Sequence, residues 1–462
     1  DSRRDTPLRI CCSVHDALNA CINSEQLTSH GILKRMRTFH AVILGIFVLL
    51  ALGSIVILAT FTNNGGNKIG DVEIWGPLPN YVMDDLFREL RGVRSDFEDV
   101  KYRTVAKQDL VPQLVEAIAS GRAPDLVLFP SSYVVREAEK LVTVPYSSLS
   151  KRQFQDTFVQ AGEVFLFPEG IKGIPFTIDP LVMYWNRQIF AAVGIAQPPR
   201  YWDELTELAP RLTKKDERGT LETSAVALGS WDNVSNAKEL FLTLLHGLGN
   251  PVVKRGEDGY QSTLKKEDAT GDSADSALRF VAQFADPVKP VYSWNRSQKN
   301  SRDAFLNGTL AMYYGPASEL LSIRAANPNL NFDVAELPRI RSGVPGGYAD
   351  LYAFVIPNGS RNQRGALLAS MALTDPGVQK ALSRATGLPS VRRDATALDA
   401  SNAYETTFRE ASVSAFAFLD PDPSATDGIL KRMLENVLSG KLRTQDATIA
   451  GNAELQALIG VK

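Results

Sequence analysis

Short apolar runs alternate with amphipathic stretches over most of the chain. The run VEIWG at 72–76 predicts a first strand, and apolar positions recur at helical spacing from about Met83. A second strand is predicted at 101–105, a helix at 110–120, and a third strand, LVLF, at 126–129. Strands and helices that alternate in this way indicate a parallel, doubly wound α/β sheet.

The stretch GIPFTIDPLVMYWN at 173–186 connects this region to the rest of the chain. Pro175 and Pro180 lack a backbone N–H and fix φ, which predicts an extended connector and a poor central strand. The apolar run at 181–185 predicts the start of a second sheet. If this connector joins two α/β lobes, the cleft between the lobes is a natural ligand site. The acid in the connector, Asp179, is therefore a candidate ligand contact. Stabilising the turn before Pro180 is its alternative role.

The second half of the chain continues the same pattern of elements. A strand followed by a polar turn is predicted at 226–233, and then a helix that Asn233 or Ser235 would cap. A further strand is predicted at 309–315. The buried run LYAFVIP at 351–357 predicts a strand that crosses back to the first lobe.

One segment, at 41–61, contains no charged residue. As a helix it would span about 31 Å at about 1.5 Å per residue, which matches a bilayer core of about 30 Å. Lys34, Arg35 and Arg37 precede it, so the N-terminus is predicted in the cytoplasm and the later residues outside. The sequence therefore predicts a single-pass cell-membrane protein. A cleaved signal peptide is the alternative, although the run is longer than a usual signal sequence.

All three cysteines, Cys11, Cys12 and Cys21, precede this apolar segment. They would face a reducing cytoplasm, so a disulfide framework is not expected. No cysteine follows the segment where a lipid anchor would need one. Because Met36 would be an ordinary start for an anchored protein, we interpret the residues before it as a leader assigned in error or as an added segment.

Composition argues against several classes of function. The net charge of −2 gives no reason to expect a nucleic-acid partner. After the apolar segment the only histidine is His246, so a Ser-His-Asp triad or a multi-histidine zinc site lacks parts. There is no G-x-x-x-x-G-K-[ST] loop for ATP hydrolysis. We therefore expect no catalytic residue, metal or cofactor; a glycan hydrolase, which needs only two carboxylates, is the alternative.

Candidate ligand contacts follow first from the position of the strands. Ligands of doubly wound sheets gather at the carboxyl ends of strands, which here selects Trp75, Phe129, Ser131 and Ser132. Filling the core at the end of a strand is the alternative role for Trp75.

The second half adds further candidates. Trp231 and Asp232 lie at a predicted strand-to-helix turn, where they could face a ligand. Tyr313 and Tyr314 should point in opposite directions on a strand, so at most one would face a cleft. Tyr348 is also a candidate. It belongs to an aromatic cluster with Tyr292 and Trp294, and such residues usually pack in a core or a loop.

Six segments of the sequence occur in a characteristic order, and that order resembles the bacterial extracellular solute-binding proteins of the maltose-binding type. The resemblance covers essentially all of 70–462. The segments are GRAPDLVLF (121–129), KGIPFTIDPLVMYWN (172–186), VGIAQPPRYWDEL (193–205), AFLNGTLAMYYG (304–315), ATGLPSVRRD (385–394) and ENVLSGK (435–441).

The resemblance implies two α/β lobes joined by a multi-strand hinge, as in periplasmic binding proteins of type II. Such lobes close on a ligand by hinge motion. It also implies ligand contacts at Trp75, at 129–132, at Asp179 and at the turn 313–315. The expected domains are a cytoplasmic segment (1–40), a transmembrane helix (41–61), a linker (62–69), lobe 1 (70–178 and about 350–420) and lobe 2 (179–349 and about 421–462).

The partners that the resemblance implies are a sugar or similar polar ligand, an ABC permease and separate ATPase subunits, with the membrane reached through the N-terminal helix. The sequence departs from sugar binders of this family at two places. No stacking tryptophan follows the turn at 315–318, and no aromatic ring occurs at 424–428. Since aromatic faces pack on sugar rings, a long oligosaccharide is less favoured. An anchored sensor or adhesion receptor with the same fold is the alternative function.

Overall fold

The computed structural model describes residues 68–256, 259–265, 272–395 and 403–460. The predicted transmembrane helix at 41–61 and the three cysteines lie outside the described residues. Within the part of the chain that is described, no helix is both long enough and apolar enough to cross a membrane.

Most strands of the described residues belong to one mixed sheet. Nine strands form it, in the order β2-β1-β3-β13-β6-β11-β8-β7, and β12 pairs with β6 beside this path. The strands are β1 (Val72–Gly76), β2 (Val100–Thr104), β3 (Leu126–Pro130), β4 (Leu166–Phe167), β5 (Gly170–Ile171), β6 (Ile174–Asn186), β7 (Lys214–Lys215), β8 (Leu221–Val226), β9 (Val253–Gly256), β10 (Gly259–Ser262), β11 (Leu310–Pro316), β12 (Phe332–Ala335) and β13 (Ala349–Val355).

The α-helices lie between these strands and after the last one. They are α1 (Asn80–Val93), α2 (Leu110–Ala119), α3 (Val134–Glu137), α4 (Lys151–Thr157), α5 (Arg187–Ala192), α6 (Leu205–Leu212), α7 (Ala237–Gly247), α8 (Ser273–Ala282), α9 (Ser301–Leu306), α10 (Leu320–Ala326), α11 (Gln363–Leu373), α12 (Pro376–Thr386), α13 (Ala403–Val413), α14 (Pro423–Leu438) and α15 (Thr444–Gly460). The predicted α/β class is confirmed, with the first three strands and the first two helices close to their expected positions.

Strand direction changes along the sheet. β1 is parallel to both β2 and β3, as expected for a doubly wound sheet. β13 is antiparallel to β3 and to β6, and β6 is antiparallel to β11 and β12. The sheet is therefore parallel only in part, because the long strand β6 and its partner β13 run through its centre in opposite directions.

The connector predicted between Pro175 and Pro180 is in fact the first half of a central strand, and this corrects the sequence analysis. Residues 181–185 form a strand as predicted, but they continue the same sheet rather than begin a second one. β6 runs without interruption through both prolines, with β13 along its first half and β11 and β12 along its second half. The prolines are tolerated because they occupy special places in the β13 ladder. Pro175 lies where the register shifts next to Ala353, and Pro180 pairs with Ala349, the first residue of β13.

The two halves of β6 contribute to different apolar clusters. One cluster takes its residues from Leu181 to Tyr348 and from 408–459. Two other clusters cover opposite faces of the sheet formed by β1, β3, β13 and the first half of β6. Alternate side chains of β3 enter each of them, since successive residues of a strand point to opposite faces. The change from one core to the others falls between Ile178 and Leu181.

Local structure differs from prediction before helix α7. The strand predicted at 226–233 ends where that range begins, since β8 spans Leu221–Val226. The residue at the N-cap position is Asn236, in a left-handed conformation, rather than Asn233 or Ser235. The Asn233 side-chain oxygen, which would cap a helix, instead accepts from the indole N–H of Trp294 over 3.1 Å, and its amide donates to two carbonyl groups of the loop before α9.

Candidate ligand pocket

A pocket of about 340 Å³ lies where β3 ends and β13 begins. Its volume is at the lower end of the range of small-molecule sites, about 300–1,000 Å³. The lining combines polar groups with a larger share of apolar surface. It consists of Lys107, Gln108, Pro130, Ser131, Ser132, Tyr133, Asp350, Leu351 and Tyr352.

Three segments position these side chains. The antiparallel pairing of Tyr352 with Pro130 brings the end of β3 and the start of β13 to the same edge of the sheet. Ser131 and Ser132 follow β3 directly. Lys107 follows β2, and its ammonium lies 3.1 Å from the Asp350 carboxylate. Both members of this ion pair retain substantial exposure, so they remain accessible to a solute and their pairing adds little stability.

Asp179 lies directly opposite Asp350 in the ladder between β6 and β13. Residues that pair across strands point to the same face, and like charges in such positions destabilise a sheet. Burial raises the pKa of Asp179 to about 6, and the charge of Asp350 adds to this; a hydrogen bond from the backbone N–H of Ser318, 3.0 Å from Oδ1, and the charge of Lys107 oppose it. Asp179 is therefore a strong acceptor beside the pocket, although it does not line it.

Tyr348 holds the Asp350 carboxylate in position. Its hydroxyl donates to Asp350 Oδ1 over 3.2 Å, and only 8% of the residue is exposed. Its ring packs edge-on against Phe416. The turn before it requires glycine at Gly346, which has φ of 113° and no space for a Cβ beside the Ser414 carbonyl. Tyr348 therefore positions a pocket carboxylate and does not line the pocket as predicted.

An ion pair joins the pocket wall to helix α14. Arg136 lies over the ring of Tyr133, 4.6 Å from its centroid, and its guanidinium is 3.2 Å from Asp422. Asp422 caps α14 by accepting from the N–H groups of Ser424 and Ala425, and these bonds help to lower its pKa against the effect of burial. The segment after β3 that lines the pocket is thus linked to helix α14, which belongs to the apolar cluster formed by residues of 181–348 and 408–459.

Two predicted contacts at strand ends are core residues. Phe129 is fully buried in an apolar cluster. Trp75 is 6% exposed; its indole N–H donates to Glu73 over 2.7 Å, and the guanidinium of Arg103 covers its ring at 4.7 Å. Neither residue lines the pocket, because strand alternation turns both side chains onto the packed face of the sheet.

Trp231 and Asp232 are also placed away from the pocket lining. Trp231 is 8% exposed, and its indole N–H donates to Asp427 over 3.2 Å. Its ring lies edge-on to Phe241 in the core beside α7. Asp232 is exposed and pairs with Lys431. These two residues thus connect the turn after β8 to helix α14.

Tyr313 and Tyr314 point in opposite directions, yet both are buried. The Tyr313 hydroxyl donates to Glu319 over 2.9 Å, and its ring stacks on Tyr184. Tyr314 packs against Trp202, and its buried hydroxyl has no hydrogen-bond partner among the described residues. Neither lines the pocket, because β11 is covered on both faces.

Of the predicted ligand contacts, Ser131 and Ser132 line the pocket and Asp179 lies beside it; for these three, contact with a ligand stays a prediction. Sequence reasoning missed Lys107 and Asp350. Lys107 could have been found by applying the strand-end rule to the second strand as well as to the first and third. Asp350 carried a weaker signal, a single acid between two tyrosines at the start of a buried run.

The pocket offers hydrogen-bonding groups of both kinds. Hydroxyl and amide groups can donate or accept, the Asp350 carboxylate accepts, and the Lys107 ammonium donates. Within the described residues, no three His, Cys, Asp or Glu side chains are grouped so that they could hold a metal ion. Fold and pocket together define a class of protein: an α/β protein with a small candidate ligand pocket at the centre of its sheet.

Comparison with known sequences identifies the family. The pattern of the family described as bacterial extracellular solute-binding protein matches residues 94–408. The chain belongs to this family, as predicted, and its members are binding proteins rather than enzymes. A putative binding protein of Brucella abortus is 21% identical over 325 residues, which cover 69% of this chain and 74% of that protein. A maltotriose-binding protein of Pyrococcus abyssi is 27% identical over 143 residues, 30% of each chain.

Solved structures show the same fold. The cyclic alpha-maltosyl-1,6-maltose binding protein of Arthrobacter globiformis has a TM-score of 0.70 at 17% identity, over 85% of this chain and 99% of that one. The sugar-binding protein MalE of Xanthomonas citri gives 0.70 at 17%, over 85% and 98%. The GacH receptor of Streptomyces glaucescens gives 0.64 at 18%, also over 85% and 98%. The fold is therefore that of the maltose-binding type.

Proposed function

We propose that this protein is an extracytoplasmic receptor that binds a carbohydrate in the pocket after β3 and delivers it to an ABC importer. The observation that carries the proposal is the pocket itself: hydroxyl, amide and charged groups converge where two strands of opposite direction meet. Polyhydroxylated ligands are bound by such groups. Similar proteins named as binding maltotriose, alpha-D-tagatose and mannotriose support a sugar ligand.

Closure of two lobes is part of this proposal. Lobe 1 would comprise 70–178 and about 350–420, and lobe 2 would comprise 179–349 and about 421–462. The change of core between Ile178 and Leu181 supports the boundary on β6, whereas Phe408, Ala411 and Phe418 pack in the core of lobe 2 and place the end of lobe 1 before about 408. A ligand would stabilise the closed form only by its better affinity for that form.

Contacts between the proposed lobes would have to break when they open, and two of them involve residues of 70–178. One is the ion pair of Arg136 and Asp422. The other is made by the β9–β10 hairpin, where the guanidinium of Arg255 lies 4.0 Å from the centroid of Phe167 and donates to the carbonyl of Leu166. Because both contacts lie outside the pocket lining, they can favour closure without competing for ligand.

Delivery would require a permease and separate ATPase subunits, since the sequence has no ATP-binding loop. A membrane helix at 41–61 would keep the receptor at a high local concentration beside that permease.

A thermal-shift screen of the full chain against sugars, polyols, amino acids and oligopeptides tests the binding function. A ligand at about 100 times its Kd should stabilise the folded protein by about 2.7 kcal/mol. Small-angle scattering on the same samples should show a smaller radius of gyration with ligand. Stabilisation by peptides or amino acids alone would contradict the carbohydrate assignment, and an unchanged radius would contradict closure.

A further inference from the structure

The β9–β10 hairpin is fixed at its base to one apolar cluster. Its two strands form a separate two-stranded sheet. Val253 in β9 and Leu264 after β10 are buried in the cluster that the second half of β6 also enters. Helix α15 belongs to the same cluster and holds β10 through a hydrogen bond of 2.9 Å from the Ser262 N–H to the Gln456 side chain. The base of the hairpin is therefore part of the proposed lobe 2.

Two residues nearer the turn of the hairpin, Arg255 and Tyr260, contact a different apolar cluster. The Arg255 guanidinium lies 4.0 Å from the ring centroid of Phe167 and donates to the carbonyl of Leu166. Leu166 and Phe167 are buried in a cluster that the first half of β6 enters. Tyr260 packs against both clusters. The hairpin thus connects the two cores at a second place, away from β6.

Both sides of this contact are held in position by other residues. Tyr260 lies opposite Arg255 in the hairpin ladder, and its hydroxyl accepts from Nε and Nη2 of Arg255 over 3.3 and 2.9 Å. On the other side, the Phe167 carbonyl accepts from the Tyr146 hydroxyl over 2.6 Å. Because little side-chain freedom is lost when Arg255 meets Phe167, more of the interaction energy favours the joined state.

The ion pair between Arg136 and Asp422 is a weaker connection between the proposed lobes. Both side chains are partly exposed, and ion pairs of this kind contribute little. Arg136 also pairs with its neighbour Glu137 over 2.7 Å, and it would keep that partner when the lobes open. Arg255 would instead lose both the Phe167 ring and the Leu166 carbonyl. The hairpin contact therefore opposes opening more strongly than the ion pair does.

We infer that the β9–β10 hairpin is a clasp that holds part of the unliganded protein in the closed form and thereby raises the affinity for ligand. The inference rests on the proposed function, and it adds the element that controls closure. None of the described residues of the hairpin lines the pocket. The clasp therefore acts on affinity only through the fraction of the protein that is closed, and it leaves the choice between ligands to the pocket.

Titration calorimetry of the full chain with glucose, maltose and maltotriose tests this inference. Arg255→Ala should weaken the binding of each saccharide that the wild type binds by about tenfold, and by the same factor for each, because the pocket is unchanged. Small-angle scattering without ligand should show a larger radius of gyration for this variant. An affinity within about twofold of wild type, or a loss confined to one saccharide, would overturn the inference but leave the proposed function intact.

Lys254→Ala is the matched control. Lys254 is exposed and precedes Arg255 on β9, so its side chain points to the opposite face of the hairpin. Its affinity and radius of gyration should equal those of wild type. If the wild type binds none of the saccharides, the proposed function fails and scattering alone decides. Equal radii for Arg255→Ala and Lys254→Ala would then overturn the clasp.

Tyr260→Phe is a second variant, used if circular dichroism shows that Arg255→Ala does not fold. It keeps the ring and removes only the hydroxyl that orients Arg255. Affinity should fall by about threefold, again by the same factor for each saccharide. An unchanged affinity in this folded variant would overturn the inference.

Discussion

Two cross-strand pairs on β6, five positions apart, have opposite properties. Asp179 lies opposite Asp350, beside the pocket. Tyr184 lies opposite Tyr313, and their rings stack at 5.9 Å in the buried second half of the strand. The aromatic pair stabilises the sheet, whereas the acidic pair destabilises it. One strand thus combines a structural half with a half in which local stability is lower at a candidate binding site.

The largest expected effect comes from removing one member of the acidic pair. Asp350→Ala deletes a pocket acceptor and leaves both the Lys107 ammonium and the Tyr348 hydroxyl without this partner. We expect saccharide affinity to fall by about 100-fold or more, because charged hydrogen-bonding groups at binding sites are costly to remove. Titration calorimetry measures the change.

Asp71→Ala is the matched control for that variant. Asp71 forms an ion pair with Lys101 at 3.2 Å on the same sheet, but both side chains are highly exposed and neither lines the pocket. Affinity should be unchanged. If both aspartate variants lose affinity to the same degree, or if neither does, the acidic pair has no special role in binding.

The second effect is on the pH dependence of stability. The pKa of Asp179 is raised to about 6 in the folded protein, from about 4 for an unfolded chain. Between these values the folded state holds the proton more tightly, so this group makes the protein less stable as pH rises from about 4 to 6. Relative to Asp179→Asn, the wild type should lose about 2 kcal/mol of unfolding free energy between pH 4.5 and 7.

Urea titrations of both proteins without ligand measure this difference. The comparison with Asp179→Asn is needed because other acids also titrate in this range; burial raises the pKa of Glu239, for example. Parallel pH profiles for the two proteins would mean that the carboxylate at 179 is not strained. The pairing of Asp179 with Asp350 would then affect stability no more than a solvent-exposed pair of carboxylates does.

The difference between the two halves of β6 also explains which parts of the structure the sequence could predict. Apolar periodicity correctly predicted β1, β3 and helices α1 and α2, because burial decides those elements. It failed at Pro175 and Pro180, since a proline is excluded from a central strand only where its missing N–H is needed. Whether that N–H is needed depends on the register with β13, which is a tertiary property.

The candidate site was predicted less well than the fold, for a related reason. Aromatic residues such as Trp231 and Tyr314 look like sugar platforms, but their large apolar surface is stabilised most by burial. Ser131 and Ser132 were found because the strand-end rule depends only on topology. Asp350 was missed because its importance comes from the residue opposite to it, which no local pattern shows.

The third prediction concerns the aromatic pair. Tyr313→Phe keeps the ring stacked on Tyr184 and removes only the hydroxyl that donates to Glu319. Because it leaves that carboxylate with one fewer donor, we expect a loss of about 1 to 2 kcal/mol in unfolding free energy, with ligand affinity unchanged. Urea titration and calorimetry measure the two quantities. A change in affinity without a change in stability would place Tyr313 in the binding site instead.

The smallest expected effect is at Tyr314, the residue next to Tyr313, and this variant is therefore a control for the loss of a buried hydroxyl group. Tyr314→Phe also removes a buried hydroxyl, but this one has no hydrogen-bond partner among the described residues. Its burial without a partner already costs free energy, so the variant should be as stable as wild type or more stable by up to about 1 kcal/mol. A loss equal to that of Tyr313→Phe in the same urea titration would contradict this expectation, because both variants keep the ring and differ only in whether the lost hydroxyl had an acceptor.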